Sequence, residues 1–290
     1  MEFNKYFKLI GLVALVLSGL QGCQPSLSNS EKVTHLSDKY SIEIKAGNPA
    51  LFYTQGYSPK DALLTDIELT RTSLSQASEV IEGMSQALGI YPDKFVNKYI
   101  DAIFIAGDIK IEGAEAGGTY GPKWIILSNT PEWNGTGANH ENARYAVHHE
   151  LSSFVLARHP ESRIIWHSMM PESWASATSD YKALTTSSSQ PVNYQQGFLS
   201  KYAESSVGND FNVYAEHAFG DPNNLKALAS EHAIIAQKLA ILISVYINEE
   251  PQLKSYFKET GLTAVAQPVN QLEVSFDINV DNIKPTKVEQ

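Results

Sequence analysis

Six consecutive residues, His148-His149-Glu150-Leu151-Ser152-Ser153, constrain this chain more than any other stretch. They lie inside a helix predicted from about Asn142 to Arg158, with Asn139 or Asn142 as its amino-terminal cap and Pro160 as its stop. A helix turns about 100° per residue, so positions 149 and 153 share a face while position 148 points elsewhere. An imidazole followed directly by a carboxylate is a pattern for metal binding or proton transfer. The bland reading is a hydrogen-bonded helix histidine beside a solvated glutamate.

The rest of the chain narrows the setting. Its 290 residues fit one globular domain, or one domain with an appended subdomain, and 43% hydrophobic content is enough to fill a core. The net charge of -10 argues against nucleic acid, whose phosphates need a dense basic surface. Cys23 is the single cysteine, which excludes an intramolecular disulfide. Lys5 and Lys8 precede an apolar run from Leu9 to Leu20, about a dozen residues, too short to span a bilayer comfortably and suited to a signal-peptide core. The run ends Leu20-Gln21-Gly22-Cys23, which resembles the bacterial lipobox. That resemblance implies acylation of Cys23 and a membrane partner through the lipid, and Gln24 after the cysteine points to the outer membrane. The expected organisation is a signal peptide over 1–22, a lipidated tether over 23–35, a folded domain over 36–262 and a tail over 263–290.

Along the domain, Tyr40 to Ile44 alternates as a short strand. Ser58-Pro59 opens a predicted long helix through Ile67, Leu74, Ile81, Met84 and Leu88, stopped by Gly89. Ile103, Ile105, Ile109 and Ile111 predict strands, Gly117 to Gly121 a hairpin bend, and Lys123 to Leu127 a further strand. The region from Ser162 to Asn193 is predicted as a long irregular loop over a cleft. A helix follows over Phe211 to Phe219 with Asn209 or Asp210 as cap. Gly220-Asp221-Pro222 breaks it, and apolar helices run from Leu225 to Tyr246 and from Leu253.

This order of elements, with His149-Glu150 on the central helix, resembles the zincin fold of gluzincin metallopeptidases and, more narrowly, zinc peptidases among bacterial lipoproteins. The resemblance implies an α+β domain in which a small twisted sheet packs on the motif-bearing helix, with a helical carboxy-terminal part. It implies zinc held by His149 and Glu216, Glu150 as general base toward metal-bound water, and a peptide or protein substrate. Asp210 is the alternative carboxylate. Lys123 to Leu127 would align substrate as an edge strand. The pattern departs from H-E-x-x-H at Ser153, because a hydroxyl is a poor zinc ligand beside imidazole. Among the other histidines, His148 faces away, His159 lies beyond a straight helix face, His217 points elsewhere on its helix, and His167 on the expected loop is the stand-in for the missing ligand. Two readings stay open. One is an envelope metallopeptidase that builds its site differently, and the other is an inactive zincin-fold lipoprotein that binds a peptide or a cell-envelope partner. Thr185 to Ser189 is rich in hydroxyls but has no Gly-x-Ser-x-Gly setting for a serine hydrolase.

Overall fold

The computed structural model describes residues 27–54, 67–172, 174 and 191–269. Cys23, the Ser58-Pro59 helix start, the hydroxyl-rich run after Thr185 and the alternation from Val274 to Val280 lie outside the described residues.

Two apolar runs make the centre of the sheet. β3 (Ala102–Ala106) and β7 (Trp124–Ser128) are buried at every residue, which is why they read as continuous apolar runs rather than alternations. They pair in parallel; β1 (Glu43–Ala46) is parallel to β3 on one side, and β6 (Gly118–Gly121) is antiparallel to β7 on the other. The order is β1-β3-β7-β6. Side chains alternate between two cores. Ile103, Ile105, Ile125 and Leu127 join the large helical core, whereas Phe104, Trp124 and Ile126 join a smaller one with Phe52. A second sheet, β2 (Ile67–Leu69), β4 (Ile109–Ile111) and β5 (Ala114–Ala116), is antiparallel, and its Ile109 and Ile111 close that smaller core.

The sheet's other face carries α3 (Ser78–Leu88) and α5 (Ala138–Ala157). Gly83 lets these helices meet, since a Cβ there would sit 2.1 Å from the His140 carbonyl oxygen. Against α5 packs α7 (Val207–Gly220), followed by α8 (Pro222–Glu231), α9 (Ala233–Glu249), α10 (Leu253–Glu259) and α11 (Leu262–Val265). The result is a mixed α+β fold in which a small sheet lies against several helices.

Several sequence expectations change. The tether is helical from its seventh residue: α1 (Asn29–Tyr40) starts at a Ser28–Glu31 capping box, and Val33, Leu36 and Tyr40 bury one stripe of an otherwise polar segment. Ile67 and Leu69 do not start a helix, because they pair with Ile111 and Ile109 as β2. The glycine-rich stretch is strand β6 rather than a bend. That placement overturns Lys123 to Leu127 as the edge, since β7 lies between β3 and β6. Pro160 ends α5 but occupies the first turn of α6 (Pro160–Ser168), so the expected loop begins as a helix. α5 is capped by Gly137 rather than by Asn139 or Asn142, and α7 by Ser206, whose side chain accepts from the Asn209 N–H. The predicted helix from Leu225 to Tyr246 divides at His232, where the backbone is extended.

Candidate functional site

α5 and α7 present their polar faces to each other beside β6. His149 Nδ1 lies 2.5 Å from Glu216 Oε1, so the two residues joined by the sequence argument do meet. One turn further along α5, Ser153 Oγ accepts from Asn212 Nδ2 at 2.7 Å. Asn212 is one turn before Glu216. The helices therefore pair as an antiparallel ladder, 149 with 216 and 153 with 212, each rung four residues from the next. Ser152 Oγ closes the second rung by donating to Asn212 Oδ1 at 2.5 Å.

These rungs border a cleft of about 480 Å³ lined by Asn142, Tyr145, His149, Glu150, Glu216 and Gly118, with Lys201 and Tyr202 from the opposite wall. Glu150 is 6% exposed at the cleft wall, and its carboxyl has no hydrogen-bond partner among the described residues. A Cβ at Gly118 would lie 3.1 Å from Glu150 Oε1, so a side chain there would push against the carboxyl. Burial pushes the Glu150 carboxyl up to about 7; the charge of His149 opposes this and that of Glu216 adds to it. For His149, burial opposes the charged form, yet the hydrogen bond and charge of Glu216, with the charge of Glu150, hold the imidazole above its ordinary value.

The neighbouring histidine has the opposite environment. His148 is buried, with its Nδ1 2.8 Å from the Tyr91 hydroxyl and its ring 5.4 Å from that of Phe219. Burial, then the Arg144 charge, push it down to about 3, so it is a neutral core histidine.

The remaining candidates lie elsewhere. His167 is exposed on α6, edge-on to Trp174 at 5.7 Å, and does not line the cleft. His159 bonds Glu249 at 2.8 Å. Asp210 is fully buried against Lys238 Nζ at 2.6 Å and Trp166 Nε1 at 2.8 Å, which commits it to the core. Among the described residues no three His, Cys, Asp or Glu side chains group to hold a metal. His149 and Glu216 offer two donors, and the hydroxyl at the second histidine's place is engaged by Asn212. This donor set does not fit a catalytic zinc, which keeps three protein ligands. Sequence reasoning missed Asn212 and Gly118. Asn212 was findable, because it lies on the Glu216 face at a spacing of four.

No family model matches the chain, and no curated protein matches it. The chain is similar to a solved crystal structure of a candidate zinc-binding metallo-peptidase from Bacteroides caccae, at 16% identity and a TM-score of 0.47, over 84% of this chain and 98% of that one.

Proposed function

We propose that this protein is an envelope lipoprotein of zincin-like architecture whose cleft binds an extended polypeptide. The observation that carries this reading is the Glu150 carboxyl, which lines the cleft beside β6 with no hydrogen-bond donor among the described residues. An amide N–H or an ammonium of a bound chain can donate to it there.

The β6 edge supplies the rest. Gly117 accepts from the Ser128 N–H at 3.1 Å, so Gly117, Thr119 and Gly121 turn their backbone groups toward β7. Gly118 and Tyr120 turn theirs to the open side, where an extended ligand can add as a further strand. Tyr145 and Tyr202 flank the space with amphipathic rings. With two donors in place of three, the cleft supports recognition better than hydrolysis by metal-activated water.

The test is peptide-array binding followed by titration calorimetry of the hits. Wild type is expected to bind, Glu150→Gln to bind about tenfold more weakly, and Gly118→Val to lose binding by filling the cleft. Absence of any peptide hit for wild type refutes the proposal. Fluorogenic peptides incubated with added zinc provide the contrasting arm, and turnover lost in Glu150→Gln would establish the hydrolase instead.

A further inference from the structure

We propose that the α5–α7 ladder is a metal-free clamp, with Ser153 and Asn212 forming a rung at the place where an H-E-x-x-H helix carries its second metal ligand. Three observations on these helices carry this. First, the two rungs are in register, with His149 on Glu216 and Ser153 on Asn212, at 2.5 and 2.7 Å. Second, the Asn212 carboxamide is 3% exposed and satisfied at both ends, its nitrogen by Ser153 and its oxygen by Ser152. A longer ligand at 153 would need the space this amide fills. Third, no other His, Cys, Asp or Glu among the described residues joins His149 and Glu216.

Each rung does mechanically what a shared ion does, tying one turn of α5 to one turn of α7 beside the cleft. It does so without the concentration dependence of a bound metal. Ser153 and Asn212 therefore act as a matched pair: the short hydroxyl makes room, and the amide fills that room with two hydrogen bonds. The clamp stands whether or not a peptide is the ligand, because metal content and peptide binding are measured separately.

The experiment uses the full-length chain, dialysed against zinc and then against buffer, with metal content and melting temperature measured with and without EDTA. Wild type is expected to hold well under 0.1 zinc per chain, roughly the level at which site binding is excluded, and to melt at the same temperature with chelator. Ser153→His/Asn212→Ala is expected to take up one Co2+ with a tetrahedral visible spectrum, lost again when His149→Ala is added. One zinc per wild-type chain, with a melting temperature that falls on chelation, overturns the clamp. So does a double variant that is folded by circular dichroism and takes up no cobalt, since the rungs would then not be in a metal-site register. Should the double variant fail to fold, the wild-type measurement decides alone.

Discussion

Asn212 Nδ2 donates to Ser153 Oγ at 2.7 Å, and the amide's other end accepts from Ser152 at 2.5 Å. This carboxamide joins the two helices that frame the cleft, and it does so at the position where the sequence pattern departs from a zinc-binding helix. Asn212→Ala removes two hydrogen bonds, the one from Ser152, which keeps its bond to the His149 carbonyl oxygen, and the one to half-buried Ser153. The expected cost is about 0.5–1.5 kcal/mol, read as a lower denaturation midpoint at unchanged m-value. Loss of less than about 0.3 kcal/mol would show that the rung does not hold the helices together.

Glu150 should limit stability while serving binding. Its carboxyl is raised to about 7 by burial, against an unfolded value near 4.5. A carboxylate with a raised folded value favours the fold when protonated. That contribution is complete below the unfolded value and is lost as pH rises through about 7. Glu150→Gln should therefore melt higher than wild type at pH 8, by about 1–3 kcal/mol of stability, with the difference shrinking toward pH 5. Thermal scans across that range check it, and a pH-independent difference refutes it.

Glu249 should show the reverse slope. Burial alone would raise its carboxyl, but Lys98, Tyr99 and His159 donate to it and hold it down to about 2. A depressed folded value stabilises the fold above the unfolded value of about 4.5 and loses that contribution as pH falls through about 2. The stability gap between wild type and Glu249→Gln should be flat above pH 5 and close between pH 4.5 and 2. Urea titrations at stepped pH measure it, and a gap that widens on acidification would contradict the assignment.

Lys238 and Asp210 are fully buried and 2.6 Å apart, tying α9 to α7; Lys238 also donates to the Gly197 carbonyl oxygen at 3.0 Å. Lys238→Met should cost about 3–5 kcal/mol at pH 7.5 by leaving Asp210 buried without its cation. Burial already raises the Asp210 carboxyl to about 6, and without the lysine it takes a proton more readily, so the cost should be smaller at pH 5. Denaturant midpoints at the two pH values test this. Equal costs at both would show that Asp210 is not the group left stranded.

Acylation at Cys23 is expected from Leu20-Gln21-Gly22-Cys23. Cells fed labelled palmitate should label the wild-type protein and not Cys23→Ser, and only the wild type should sediment with membranes. Equal labelling of both forms would remove the lipoprotein reading.

Some of this was legible without a structure. The Ile103-Ile105 and Trp124-Leu127 strands announce themselves as apolar runs, and the motif helix and the α7 helix by the caps and stops around them, signals that neighbouring residues set among themselves. His149 meeting Glu216 was expected from the resemblance to gluzincins. Other features depended on which segments pack together. An apolar run cannot say whether it is central or at an edge, so β7 was mistaken for the edge that β6 occupies. Ile67 and Leu69 fit a helix stripe as well as a strand, and pairing with β4 decided it. His167 had the right chemistry and the wrong address. The sequence by itself determined that an imidazole and a carboxylate would share a buried helix, because side-chain identity and helical period suffice for that. Only the tertiary structure decided that Ser153 is answered by Asn212 rather than by a metal ligand, because the register between two helices 59 residues apart along the chain is set by the core between them.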